Sequence, residues 1–588
     1  KVTGLRIDHI DGLFDPIGYL RKFQLRLGEK FYIVVEKIVE RGEELPPEFP
    51  VSGTTGYDFL DSLNAVFIDS EGLNRLDGFY RAFTGLTKSF AEVCYEKKKK
   101  VIEELFSGEM RTLGKSLSAI AMSDRNARDF APVDLTAALT EVTACLNVYR
   151  TYIRDGPPDE GDRRAIEEAL RCAREQAGSS IDYRLFDFLE LVLLMNPHPY
   201  LESERESWLA FVMRWQQFTG RVMAKGVEDT AFYNYNRLLS LNEVGGDAGR
   251  RDFDGLAEFH DRNRRIQQNW PDTLNATSTH DTKRSEDVRA RLNVLSEIAD
   301  VWARQVRRWS RVNASLRPNN IPDANEELMI YQTLVGMWPL NDEELPVVRD
   351  RLRQFLEKAA REAKTHTSWI TPNPDYEKAL LEFGEAILSH PPFCEGLLRF
   401  QKRIAFYGAI NALSQVVLKA MSPGVPDFYQ GTDLWDLSLV DPDNRRAVDY
   451  ERRTAMLRTL QQASGRRSLD WVALLRSWPS GRLKMFITWK LLDMRARHAE
   501  AISRGAYEPL DGGRNVCAFT RGDEVLVAVP RFVTSLVKPS AFPLGDVWKT
   551  ENLVCPGRWR NVFTGDELES LPLAQVFAKL PVAVFERI

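Results

Sequence analysis

Gly4-Leu5-Arg6-Ile7-Asp8-His9-Ile10-Asp11-Gly12-Leu13-Phe14-Asp15 opens the chain with a short β-prone run that ends in an acid. The same form returns twice. Phe31-Tyr32-Ile33-Val34-Val35 delivers Glu36, and Asn275-Ala276-Thr277-Ser278-Thr279-His280 delivers Asp281. Strands that each end in one acid are how a barrel of parallel strands presents several acids to one pocket at its C-terminal face. A helix around Ile17 to Leu27 fills the space between Asp8 and Glu36, so the spacing is that of one strand–helix repeat. The sequence begins with Lys1 rather than Met, and this reading puts Lys1 inside a strand.

Three carboxylates on parallel strand ends suit glycosidic chemistry. A retaining enzyme needs one carboxylate to attack the sugar carbon and a second, protonated acid to hand a proton to the leaving oxygen, with the two about 5–5.5 Å apart. The apolar run Ile33-Val34-Val35 before Glu36 favours a protonated acid there. Arg6 lies two residues from Asp8, on the same strand face, and a cation there favours an ionised nucleophile. Asp281 could then stabilise the positively charged transition state. Any one of these acids taken alone reads better as a solvated loop residue; the three together reverse that and carry the reading.

Gly4-Leu5-Arg6-Ile7-Asp8, Val34-Val35-Glu36-Lys37 and Ser278-Thr279-His280-Asp281 resemble the second, third and fourth motif regions of the α-amylase superfamily of glycoside hydrolases. Longer stretches resemble its (1→4)-α-D-glucan 1-α-D-glucosylmutase branch. They are Arg6 to Leu13, Gly53-Thr54-Thr55-Gly56-Tyr57-Asp58-Phe59, Val222 to Tyr233, Asn242-Glu243-Val244-Gly245-Gly246-Asp247, His280 to Arg289, Pro423 to Thr432 and Leu439 to Arg446. The resemblance covers residues 1 to about 450 and weakens beyond.

Carried onto these positions, the resemblance implies Asp8 as nucleophile, Glu36 as general acid/base and Asp281 as transition-state stabiliser. Arg6 and His280 match residues that hold the nucleophile and contact the sugar. It implies a reaction that turns the reducing-end α-1,4 bond of a maltooligosaccharide into an α,α-1,1 (trehalose) bond, with no metal or organic cofactor. A mutase must retain the freed glucose and exclude water. Candidates for that task are Lys225, Glu228, Asp229, Tyr233, Tyr429, Gln430 and the Asp441 to Arg446 loop with Arg445, while His9, next to Asp8, is read as lining the pocket. Tyr233 and Tyr429 fit core packing equally well, Arg445 and Arg446 fit a loop salt bridge, and His9 fits a supporting structural role. The alternatives are an α-glucan hydrolase or glucanotransferase of the same superfamily, or an inactive fragment. A trehalose-releasing hydrolase is implied as a functional partner.

The superfamily's first motif region would precede Lys1. The expected fold class is therefore α/β, a partial (β/α)8 TIM barrel whose first strands are missing, with the missing N-terminal barrel segment as a needed partner. Residues 1–62 are read as barrel strands carrying nucleophile and acid, 63–215 as a helical insertion, 216–506 as the rest of the barrel with a helical extension, and 507–588 as a C-terminal β-sandwich-like domain. That last reading rests on runs such as Val525-Leu526-Val527-Ala528-Val529.

A length of 588 residues implies two or three domains. A net charge of −5 gives no electrostatic case for nucleic acid. The run Lys97 to Lys100 reads as the solvated face of a helix. No stretch is read as a membrane span. Six cysteines without a C-x-x-C pair imply reduced thiols and a cytoplasmic protein, without a disulfide framework or zinc site. Asp8 to Asp15 lacks the alternating ligands and closing Glu of a calcium loop. Gly108 to Ser116 has one residue too many between its glycines for a phosphate loop.

Overall fold

The computed structural model describes residues 2–28, 31–465 and 469–588; the reading of Lys1 as part of a strand lies outside them. The chain forms two compact units. The first comprises Lys1–Thr54, Lys88–Tyr235 and Glu362–Lys364, the second Thr55–Thr87, Asn236–Arg361 and Thr365–Ile588.

In the first unit, β1 (Gly4–Ile7) pairs in parallel with β2 (Tyr32–Val35), and β2 pairs in parallel with β3 (Gly53–Thr54). Helix Pro16–Leu27 joins β1 to β2; Pro16 takes its first position and the Asp15 carboxylate caps it by accepting from Gly18 N at 3.0 Å. The helices Phe90–Glu104, Ser107–Ser123, Pro132–Cys145, Glu160–Ala177, Tyr183–Leu193 and Arg205–Met223 follow. Their i, i+3, i+4 stripes meet in one core that includes Leu117, Leu139, Leu170, Leu189, Trp208 and Trp215. Helix Ser70–Thr84, within the stretch read as the insertion, belongs to the second unit.

Two sequence expectations are corrected in this unit. Cys145 and Cys172 form a disulfide across Cα atoms 5.9 Å apart, tying helix Pro132–Cys145 to Glu160–Ala177, so the thiols are not all reduced. The lysine run is not a solvated face either. Lys98 is buried and donates to Leu146 O at 2.6 Å, Lys99 pairs with Glu141 at 2.7 Å, and Lys100 donates to Lys364 O at 2.6 Å. Carbonyls left unpaired at helix ends recruit ammonium donors. Burial lowers the Lys98 amine to about 8.

In the second unit, β4 (Leu274–Asn275) pairs in parallel with β5 (Val425–Pro426). The β-prone run read from Asn275 to His280 leaves the ladder after Asn275. Thr279 Oγ1 accepts from Asp281 N at 3.1 Å and Thr282 N at 3.2 Å, and those bonds draw the backbone out of a ladder. Gly56 has φ +91°, and a Cβ there would lie 2.5 Å from Leu274 O. Only glycine satisfies both the dihedral and the approach, which accounts for its place in the Gly53 to Phe59 motif.

Residues 507–588 carry a six-stranded antiparallel sheet. Its central strands Val516–Arg521 and Val525–Pro530 are apolar on both faces because both faces are covered. Cys517, Phe519, Val525, Val527 and Val529 meet Leu413, Val417 and Phe486 from the helices; Val516, Ala518, Leu526 and Ala528 meet Trp548, Trp559 and Phe577 on the other side. Among the described residues, helix Pro391–Met421 alone is long and apolar enough to cross a membrane, and its apolar stretch is wholly buried in this unit.

Candidate active site

The parallel register Arg6↔Val34 and Ile7↔Val35 fixes where the first two acids emerge. Asp8 and Glu36 are the next residues on neighbouring strands, at one level and on one face. The ladder continues through them: Glu36 N donates to Ile7 O at 2.7 Å, and Ile10 N to Glu36 O at 3.2 Å. Neighbouring strands lie about 4.8 Å apart, close to the about 5–5.5 Å separation that a nucleophile and an acid need for retention.

The immediate partners differ. Arg6 Nη1 pairs with Asp8 Oδ1 at 2.7 Å in a half-exposed setting. His9 takes the left-handed conformation, φ 47° and ψ 51°, which aims its N–H at Glu36 Oε2, 2.6 Å away. Burial raises the Glu36 pKa above the usual glutamate value; the His9 N–H opposes the rise, and the Asp8 and Asp11 charges add to it. The histidine ring folds over Gly12, where a Cβ would lie 2.3 Å from it. A side chain at position 12 would push this exposed ring aside.

Still in the first unit, Ala224–Glu228 forms a π-helical turn, a feature frequent at functional sites. It sets Lys225 Nζ against Asp229 Oδ2 at 2.6 Å, while Glu228 closes the turn. Lys364 Nζ donates to Thr230 Oγ1 at 2.9 Å. Tyr233 is buried in the short turn Ala231–Tyr233, next to Phe232, whose ring stacks on Phe90 with centroids 5.8 Å apart.

In the second unit, Asp281 sits at the tip of the loop that leaves β4. His280 Nε2 lies 3.0 Å from Asp281 Oδ2, and Arg445 Nη2 lies 3.9 Å from Oδ1. Asn444 Nδ2 donates to His280 O at 2.9 Å, and Tyr429 OH donates to Asn444 O at 3.1 Å. Burial raises the Tyr429 pKa, against the opposing Arg445 charge. The structure thus brings Asp281, His280, Arg445 and Tyr429 into one cluster, beside an exposed Gln430. Arg446 turns to Asp443, with its Nε 3.2 Å from Oδ1. Asp443 in turn takes two bonds of 2.8 Å from Arg351, and Asp441 pairs with Lys358 at 2.5 Å.

The loop around Asp281 is clamped by groups to which sequence reasoning gave no role. The buried Glu243 carboxylate accepts from Lys283 N at 2.7 Å, Arg284 N at 3.1 Å, Val244 N at 3.0 Å and Arg289 Nη1 at 3.1 Å. Arg289 also donates to Arg284 O and Thr277 O. Beneath β4, Lys419 bridges Thr277 Oγ1 at 2.7 Å and Glu286 at 3.1 Å, and Lys484 bridges Glu286 at 2.8 Å and Asp287 at 2.9 Å. The signal was an unused one: Glu243, Glu286, Asp287 and Arg289 are charges inside motifs that were recognised only as patterns.

Among the described residues, Asp323, Glu326 and His366 form one group whose ligand atoms lie within 4.8 Å of each other. Structural bonds account for it. Asp323 and Glu326 form the capping box of helix Ala324–Met337, Tyr376 OH donates to Glu326, and His366 Nε2 lies 3.3 Å from Asp323.

No family model matches the chain. A protein of Mycobacterium tuberculosis (strain H37Rv) designated a maltooligosyl trehalose synthase is 34% identical over 603 residues, an alignment that spans 100% of this chain and 69% of the relative. The chain belongs to the maltooligosyl trehalose synthase family. Solved members agree. The maltooligosyltrehalose synthase of Arthrobacter ramosus superposes with a TM-score of 0.83 at 31% identity, over 100% of this chain and 70% of that one. A Sulfolobus tokodaii structure described as a hypothetical maltooligosyl trehalose synthase superposes with 0.76 at 31% identity, over 100% and 70% of the two chains.

Proposed function

We propose that the chain carries out the reaction its family's name describes. It rearranges the reducing-end α-1,4 linkage of a maltooligosaccharide into an α,α-1,1 linkage, by a retaining double displacement within one substrate. Asp8 attacks the anomeric carbon of the penultimate glucosyl unit as its bond to the terminal glucose breaks. Glu36 gives its proton to the leaving 4-oxygen. The freed glucose turns in place and its anomeric hydroxyl attacks the Asp8 ester, while Glu36 takes the proton back. Asp281 lowers the energy of the oxocarbenium-like transition states. Two inversions retain the α configuration.

The observation that carries this reading is the pairing of unlike carboxyls at one ladder level. Asp8 stands against a guanidinium, while Glu36 is half-buried with its pKa raised. That is the division of labour a nucleophile and an acid need. His280, Arg445 and Tyr429 we assign to sugar contacts around Asp281, and Lys225, Glu228, Asp229, Tyr233 and Gln430 to retention of the freed glucose. The parallel ladder β1–β2–β3 we read as part of a (β/α)8 barrel. The same reading implies a cytoplasmic enzyme that feeds a trehalose-releasing hydrolase.

The test is product analysis with maltopentaose. The mutase reading expects reducing ends to disappear while the number of sugar chains stays constant. Rising reducing ends would instead establish a hydrolase, and a redistribution of chain lengths a glucanotransferase.

A further inference from the structure

We propose that Asp11, Tyr152 and Arg150 are positioning residues that lock the segment after Asp8 and, through Lys37, the residue after Glu36, so that both acids are held by one buried cluster. The inference rests on the roles given above to Asp8 and Glu36.

The geometry is specific. Arg150 is buried, and its Nη1 donates to Asp11 O at 2.9 Å and Leu13 O at 2.6 Å, across 139 and 137 residues of chain. Tyr152 OH donates to the Asp11 carboxylate. The other Asp11 oxygen lies 3.5 Å from Lys37 Nζ, and Lys37 also binds Glu43 at 2.7 Å and Ile38 O at 2.8 Å. Its ammonium lies over the rings of Tyr149 and Tyr152, 5.9 Å and 5.8 Å from their centroids. Two carbonyls and a carboxylate of the Asp8 segment, and the neighbour of Glu36, thus share one set of donors.

The strap that supplies those donors is itself fixed. Tyr152 N donates to both Asp162 oxygens at 3.0 Å. Gln216 bonds Thr151 Oγ1 at 2.9 Å and Ile153 N at 2.7 Å through its oxygen, and donates to Ile153 O at 3.0 Å. Thr219 Oγ1 donates to Tyr149 O at 2.8 Å. Core packing alone does not call for charged donors on those two carbonyls. A loop that must present Asp8 to within a fraction of an ångström does, because a misplacement of about 1 Å can cost two orders of magnitude in rate.

The charged groups facing Glu36 are Asp8, His9 and Asp11. Those facing Asp11 include Lys37, Glu43 and Arg150, besides the Tyr152 phenol. The Asp11 charge opposes ionisation of Glu36. Its removal eases that ionisation, so the acid form of Glu36 is lost at lower pH.

The experiment uses Tyr152→Phe and Asp11→Asn in the full chain, with three readouts. In Tyr152→Phe, kcat on maltopentaose should fall about tenfold, the loss of one hydrogen bond to a charged group, with KM nearly unchanged. Amide exchange at His9 to Asp15 should speed up at least about tenfold while the thermal midpoint moves by only a few degrees. In Asp11→Asn, the alkaline limb of kcat/KM should move to lower pH. Wild-type kcat, pH profile and exchange in both variants would overturn the proposal. If the wild-type chain itself forms no α,α-1,1 product, the functional reading fails, and the exchange measurement still decides whether Tyr152 holds the segment.

Discussion

Glu243→Gln should release the Asp281 loop. In the wild type, one buried carboxylate gathers four donors: Lys283 N, Arg284 N, Val244 N and Arg289 Nη1, at 2.7, 3.1, 3.0 and 3.1 Å. Hydrogen bonds to a charged group contribute about 1.5–3 kcal/mol each. Their simple sum overstates the loss, because the amide keeps one acceptor oxygen and the opened loop rehydrates. The dominant cost is the buried Arg289 guanidinium losing its hydrogen-bonded carboxylate, a cost of up to about 3–5 kcal/mol that the more distant Glu286 and Asp287 charges reduce. Arg289 also ties down Thr277 O and Arg284 O, which flank Asp281 in the chain. The loss therefore falls on loop order, and kcat should drop by at least about tenfold, the equivalent of about 1.4 kcal/mol. Urea unfolding followed by circular dichroism, with kcat measured on the same preparation, reads both. A variant within about 0.5 kcal/mol of wild type, the ordinary range for a surface change, would refute the clamp.

A pH–rate profile should show an alkaline limb for kcat/KM above the ordinary glutamate range. The raised Glu36 pKa means that the acid form persists below that limb and is lost above it; Glu36→Gln should abolish turnover at every pH, and a limb near the ordinary value would contradict the burial argument. Lys225→Ala removes a half-exposed ion pair with Asp229. Stability should change by no more than about 1 kcal/mol, while KM rises if Lys225 contacts sugar; unchanged KM removes it from the site. Reduction of Cys145–Cys172, with its sequence separation of 27, should lower the stability of the first unit by about 3–4 kcal/mol on the chain-entropy estimate. Urea titrations with and without dithiothreitol measure this, and coincident curves would refute it.

The β1–β2 repeat and the helical character of the stretch read as the insertion were legible in the sequence because their apolar periods are local. The catalytic candidates were legible because an acid after a β-prone run is a short pattern. What the sequence hid was long-range. Arg150 reaches Leu13 across 137 residues and Glu243 reaches Arg289 across 46, and no local pattern announces either bond. The lysine run misled for the same reason. Four consecutive cations look solvated until the carbonyls of Leu146, Ala363 and Lys364 are seen to accept from them. The strand before Asp281 was read too long because threonine has β propensity and, here, also supplies the hydroxyl that ends the strand. The cysteines carry no spacing signal, so their pairing depended on how two helices pack.

The double displacement requires Asp8 to become covalently bonded to sugar. A fluorinated maltooligosyl fluoride that slows breakdown of the ester, followed by peptide mass spectrometry of the denatured chain, tests this directly. A glycosyl adduct is expected on the peptide that contains Asp8, and none in Asp8→Asn. An adduct on another carboxylate, or turnover by Asp8→Asn at the wild-type rate, would contradict it.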